Sequence, residues 1–215
     1  MKKLLTEFIG SFLFIFTVCL TAVLAGHDLA PIAIGVVLML MVYAGGPISG
    51  GHFNPAVTLA ATLRGAHPKA ECGTYILSQV AGAVCAAGLA KGVFASEVLK
   101  AGTSVEAIKL GSTTAVMASE FIFTFALALV VLCTATSKRS EGNSYFGFAI
   151  GATVVVGAIT VGSISLGAFN PAITTGLMVI GKLNPADCWM HYLPQLLGGT
   201  IAAYTFLFID SAETE

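Results

Sequence analysis

Apolar residues along this chain gather in long blocks rather than in the short alternations of a soluble fold. Six blocks, at residues 4–25, 31–46, 70–94, 113–135, 145–162 and 188–209, carry almost no charge. Each is about the ~20 residues that a helix needs to cross a ~30 Å hydrocarbon layer, the second and fifth falling short unless they run into their flanking glycines. Two further apolar pieces, residues 54–63 and 170–180, are too short to span. At ~1.5 Å per residue they reach about 15–17 Å, half the layer. Such a segment enters and stops at the midplane, its non-helical lead-in buried against protein or lining water. Two surface helices are the alternative, opposed by their apolarity and their matched places in the chain. Polar connections are brief, at residues 26–28, 95–112 and 136–144. The pattern predicts an all-α membrane protein in which residues 1–215 form a single transmembrane domain.

Composition agrees. Apolar residues make up 56% of the chain and Asp, Glu, Lys and Arg only 10%, against roughly 25% charged residues in a soluble domain. Mean hydropathy is +0.91. A net charge of −1 without a basic tract gives nucleic-acid binding no support. The five cysteines lack the spacing of a metal site, so they read as small buried hydrophobes. Met1-Lys2-Lys3 before an apolar run imitates a signal peptide. However, Glu7 interrupts that run and Ser119-Glu120-Phe121 repeats the pattern in mid-chain, which favours a retained first helix.

The repetition is extensive. Ile48–Thr58 (ISGGHFNPAVT) and Ile164–Thr174 (ISLGAFNPAIT) agree at eight of eleven positions. The same offset of 116 pairs Gly35 with Gly151, Gln79 with Gln195 and Gly82 with Gly198, and an offset of 113 pairs Glu7 with Glu120. Each half, about 4–94 and 113–209, therefore holds three spans and one half-span. Because three is odd, the second half enters from the opposite side, giving an inverted repeat whose functional groups meet at the midplane. With the N-terminus inside, Lys2, Lys3, Arg64, Lys69, Lys138 and Arg139 lie inside, against Lys91, Lys100, Lys109 and Lys182 outside, a lean towards positive-inside.

The chemistry of the duplicated Asn-Pro-Ala follows from its residue types. Asn is a preferred N-cap, and Pro is favoured at the first helical position. Ala56 and Ala172 are small enough for two helix tips to meet. The carboxamide oxygens of Asn54 and Asn170 can cap their own helices while the NH2 groups face a pore. Two donors and two half-helix N-termini, each worth roughly +0.5 charge, make the midplane electropositive. A water there turns its oxygen towards both amides, which breaks a proton-conducting chain, and the same field repels cations. Asn184-Pro185-Ala186 lacks the Gly-x-Phe lead-in and reads as an ordinary cap.

The paired Asn-Pro-Ala boxes, GGHFNPAVT, Glu7 and Glu120 and the inverted three-span repeat closely resemble the aquaporin and aquaglyceroporin (major intrinsic protein) channels from about Leu4 to Ile209. The resemblance implies six transmembrane helices with two re-entrant half-helices, a multi-pass protein of the cell's inner or plasma membrane, and a homotetramer with one pore per subunit. The sequence offers no nucleophile–base pair, metal cluster or phosphate loop, so no cofactor, no metal and no enzymatic activity are expected; the expected partners are water, small neutral solutes and the lipid bilayer. Asn54, Pro55, Ala56, Asn170, Pro171 and Ala172 match the pore boxes. Glu7 and Glu120 match residues that accept hydrogen bonds from the pore loops, with His52 assisting in the first half and Gln79 and Gln195 able to do similar work.

The outer constriction departs from the family. An Arg usually follows the second Asn-Pro-Ala, where this chain has Ile173. The other constriction positions align with Ile34, Ala158 (or Gly157, one residue away) and Gly167. Such a mouth is wider and more apolar than a water filter, fitting glycerol, urea, ammonia, hydrogen peroxide or metalloid hydroxides as well as water. Thr174 stands where glycerol-conducting members carry Asp, so the glycerol signature is also missing. A secondary transporter is the alternative, with Glu7 and Glu120 as ion-coupling carboxylates; a non-conducting scaffold is a third reading.

Overall fold

The computed structural model describes residues 1–99 and 105–210. Lys100, which the charge count places outside, lies beyond the described residues. All regular structure among them is helical. Six helices are long and apolar enough to cross a membrane: α1 (Lys2–Leu24), α2 (Ala30–Ser49), α4 (Lys69–Val98), α5 (Thr113–Thr136), α6 (Phe146–Ser165) and α8 (Pro185–Ile209). Between them stand the two short helices, α3 (Pro55–Arg64) and α7 (Pro171–Ile180).

Helix ends differ from the sequence expectation in one direction. The second span continues through Gly45-Gly46-Pro47 to Ser49, and the fifth runs past Gly162 to Ser165. Glycine and proline usually end a helix in water, but in lipid an interrupted helix strands backbone polar groups. Left-handed residues stop these two helices instead, Gly50 at φ +92° and Leu166 at φ +71°.

Each repeat packs its first helix against its second and third, and α2 meets α6 across the repeat boundary. That crossing is close. A Cβ on Gly35 would stand 2.5 Å from the Gly151 carbonyl oxygen, so only glycine fits the pair. Gly82 lies against the Phe8 carbonyl and Gly198 against the Phe121 carbonyl, at 2.5 and 2.8 Å from the Cβ each lacks. Small residues let backbones approach and recover dispersion energy where lipid supplies no hydrophobic drive. The half-helices cross over: α3 packs chiefly on α8, the last span of the other repeat, and α7 chiefly on α4.

The distribution of polarity is inside-out. Leu77, Phe148, Ile159 and Phe208 are more than 60% exposed on the outer surface, whereas Glu7, Gln79, Glu120 and Gln195 are completely buried. Only a hydrocarbon solvent makes that arrangement stable. The cysteines divide: Cys19 is a small buried hydrophobe as expected, but Cys85 is exposed on the outer surface and Cys72, Cys133 and Cys188 are half-buried. An apolar block does not distinguish a lipid-facing position from a core one.

Candidate functional site

Both short helices begin as their sequences dictate. Asn54 lies at φ −155° and its Oδ1 accepts the backbone N–H of Ala56 at 2.9 Å; Asn170 lies at φ −155° and caps Ala172 at 2.8 Å. Pro55 and Pro171 occupy the first helical position, where no N–H is needed. Asn184, in the third copy of the tripeptide, only caps a short turn through Ala186.

The two tips meet. Nδ2 of Asn54 donates to the Phe169 carbonyl at 2.9 Å, and Nδ2 of Asn170 donates to the Phe53 carbonyl at 2.9 Å. Each carboxamide therefore commits its oxygen to its own helix and one N–H to the opposite loop. One N–H of each remains. Ala56 and Ala172 are completely buried, and Ala56 lies against Gly199 of α8.

The loops that deliver these tips are strained, and their surroundings hold the strain. Phe53 and Phe169 both take φ +48°, a left-handed conformation that costs a residue with a side chain roughly 1–2 kcal/mol. The Phe53 N–H donates to Glu7 Oε2 at 2.7 Å, its carbonyl accepts Asn170, and its ring fills the space over Gly10 and Gly45. Phe169 repeats the scheme with Glu120 Oε2 at 2.8 Å, Asn54 and Gly157.

Glu7 takes four hydrogen bonds, from Ser49 Oγ (2.7 Å) and His52 N (3.0 Å) on Oε1 and from Phe53 N (2.7 Å) and Gln79 Nε2 (2.7 Å) on Oε2. Glu120 takes the matching four from Ser165 Oγ (2.7 Å), Ala168 N (3.1 Å), Phe169 N (2.8 Å) and Gln195 Nε2 (2.7 Å). A carboxylate has about four acceptor positions, so both are fully engaged in holding the loops.

Two expected details differ. Gln79 and Gln195 do not hold the loop backbone; they donate to the glutamates and also reach Thr58 and Thr174. His52 supports Glu7 through its backbone N–H, while its ring meets Thr58 Oγ1 at 3.1 Å. Moreover, His52 has a histidine neighbour that sequence spacing did not suggest. The His67 ring centroid lies 5.0 Å away, and the Tyr75 ring completes a triangle at 4.3 Å from His67 and 5.5 Å from His52. Burial, opposed by the Glu71 carboxylate, holds the His67 imidazole below its ordinary value, which favours a neutral ring.

Sequence reasoning also missed Tyr75 and His191. The Tyr75 hydroxyl donates to the Ser49 carbonyl at 2.9 Å, and His191 Nε2 lies 2.7 Å from the Ser165 carbonyl. They bind the ends of α2 and α6 to the following span, and the offset of 116 relates them.

Among the described residues, cavities flank these loops on two sides and meet at their tips. One of about 300 Å³ is lined by Ile34, Ala158, Gly167 and Ile173 together, the four positions aligned with the constriction. Gly157 instead packs beneath the Phe169 ring. A second, of about 520 Å³, lies against Gly50, Thr134, Ser137 and Phe146. Between them a waist of about 10 Å³ is lined by Asn54 and Asn170 among Phe14, Leu38, Val57 and Val154, about the smallest space that holds one water. One loop runs from Gly50 in the large cavity to Gly51, His52 and Asn54 in the waist. The other runs from Gly167 in the opposite cavity to Ala168 and Asn170 in the waist.

Six spans, two opposed half-helices and a narrow waist at their asparagine tips define a multi-pass integral membrane protein of the inverted-repeat channel class. The profile of the family described as "Major intrinsic protein" matches residues 1–163 and 146–214, and the chain belongs to that family. It is a channel protein, not an enzyme. Aquaporin NIP2-1 of Oryza sativa subsp. japonica is 34% identical over all of this chain and 72% of its own length. Aquaporin NIP3-1 of Arabidopsis thaliana is 33% identical over 99% of this chain and 68% of its own. The X-ray structure of the aquaglyceroporin from Plasmodium falciparum has the same fold, with a TM-score of 0.77, covering 95% of this chain and 94% of that one at 19% identity.

Proposed function

We propose that this protein passes water and small uncharged solutes passively through its membrane and excludes protons and cations at the Asn54 and Asn170 tips. The observation that carries the reading is the reciprocal pair of hydrogen bonds from each Asn to the opposite loop's Phe carbonyl. It fixes both amides at one level beside the waist, and the remaining N–H of each is available to a passing oxygen. Both half-helix N-termini point at the same level, adding roughly +0.5 charge each. A permeating water accepts from the amides and cannot relay a proton through that point.

Ile34, Ala158, Gly167 and Ile173 form the outer mouth in this reading. Without a guanidinium, it admits neutral polyols, urea, ammonia, hydrogen peroxide or metalloid hydroxides besides water. The glutamates weigh against the transporter alternative, because both are fully engaged in holding the loops. Four subunits, each with its own pore, make up the functional unit in the cell's inner or plasma membrane.

The experiment is stopped-flow swelling of reconstituted vesicles under water, glycerol, urea and ammonia gradients, with the native chain and Ile173→Arg. The native chain raises permeability to water and at least one larger solute without saturating. Ile173→Arg, by narrowing the mouth, lowers larger-solute permeation by roughly an order of magnitude and water by far less. Equal losses for both would remove Ile173 from the mouth, and saturable, gradient-dependent flux would restore the transporter.

A further inference from the structure

Every side chain lining the cavity at Ile173 is apolar or absent except that of Lys182, which stands in its wall. Among the described residues it is the one charged side chain that lines this cavity, and no hydrogen bond or ion pair from its ammonium is present there. Its position is fixed from both sides. Gly181 ends α7 at φ +97°, after which the Lys182 N–H returns to the Leu177 carbonyl at 2.8 Å and the Lys182 carbonyl accepts the Ile108 N–H at 3.0 Å. The half-helix that carries Asn170 at one end thus holds Lys182 just past the other. Lys91, whose Nζ also approaches Gly181, is engaged differently: that Nζ lies 3.3 Å from the Val179 carbonyl, at the carbonyl end of α7.

We infer that Lys182 sets the charge selectivity of the mouth, repelling cations and drawing small anions before either reaches the waist. The inference rests on reading this cavity as the outer mouth of the pore. Ile173 supplies volume and apolar surface to this chamber, and Lys182 places a positive charge in the same chamber. Apolar walls strengthen its reach, since they offer no carboxylate to neutralise it and little polarisable matter to screen it. The ammonium and the Asn tips then act in series, one before the constriction and one at the midplane. Neutral solutes pass both without a charge-dependent barrier.

A thiol placed in the chamber reads its potential. Ala158→Cys, in the full-length reconstituted protein, is labelled with sulfonatoethyl or trimethylammonioethyl methanethiosulfonate, and the rates are followed by mass spectrometry of the peptide containing position 158. The native chain, treated in parallel, accounts for its own cysteines, and solute flux is recorded before and after labelling. Relative to a free thiol, the anionic reagent is expected to react about sixfold faster than the cationic one, the ratio for a unit charge ~8 Å away in water. Lys182→Gln brings the ratio near one, Lys182→Glu inverts it, and about 1 M salt, with a Debye length of ~3 Å, abolishes the differences. A ratio indifferent to position 182, with labelling that blocks solute flux, overturns the inference alone. Labelling that leaves flux untouched overturns the mouth assignment beneath it, and with it the inference.

Discussion

Replacing Asn54 and Asn170 together by Asp is expected to open the pore to cations. The native midplane presents two N–H donors and two half-helix N-termini, a field equivalent to about one positive charge. Two carboxylates reverse its sign. A unit charge at ~4 Å in an effective dielectric of ~20 is worth about 4 kcal/mol, so even one ionised Asp lowers the barrier to a cation by about three orders of magnitude. The variant also loses both cross-loop donors, because a carboxylate cannot give a hydrogen to the Phe169 or Phe53 carbonyl. Planar-bilayer conductance in potassium and sodium salts, with water permeability measured on the same preparation, separates the two effects. Cation current with retained water flux supports the account. Water flux without current would place the ion barrier elsewhere.

The second large effect belongs to the glutamates. Glu7→Gln substitutes an NH2 for one carboxylate oxygen, and each oxygen of Glu7 receives two donors. Whichever way the amide turns, one backbone N–H, that of His52 or that of Phe53, loses its acceptor, whereas the Ser49 hydroxyl or the Gln79 amide can turn to accept the new NH2. At roughly 1–3 kcal/mol for an orphaned buried donor, the loss is about 1–3 kcal/mol. It falls on the loop that carries strained Phe53, so the pore fails before the outer helices do. Thermal unfolding in detergent is expected to move down sharply, and solute flux to fall with it. Glu120→Gln follows with an effect of similar size, because its four donors match. An unchanged melting temperature in either variant would mean that the carboxylates do not hold the loops.

The architecture was legible because lipid imposes simple rules on sequence. Block length separates spans from half-spans, and the offset of 116 pairs the loops without reference to any structure. Helix ends were less legible. Gly45-Gly46-Pro47 would break a helix in water, but α2 passes through it because lipid cannot satisfy open backbone. Face was not legible at all: Cys19 and Cys85 both sit in apolar blocks, yet one is buried and the other exposed, since the core and the lipid both favour apolar residues.

Within the candidate site, Asn54 and Asn170 could be read as caps from local sequence. Their second bonds could not, because the acceptors are backbone carbonyls 115 and 117 residues away, on residues whose side chains say nothing of the contact. Tyr75 and His191 were recoverable in principle. They share the offset of 116, but a Tyr and a His do not look like equivalents until both are seen to bind a helix-terminal carbonyl. His52 and His67 come together because α3 turns the chain back beside its own lead-in, which spacing along the sequence does not reveal.

The most direct test of the account is simultaneous measurement of water and proton flux in one preparation of reconstituted vesicles, by light scattering and an internal pH dye. Water permeability is expected to rise in proportion to protein content while proton permeability stays at that of bare lipid. Proton flux that climbs alongside water, or water flux no greater than that of bare lipid, would contradict an open waist guarded by two asparagine amides.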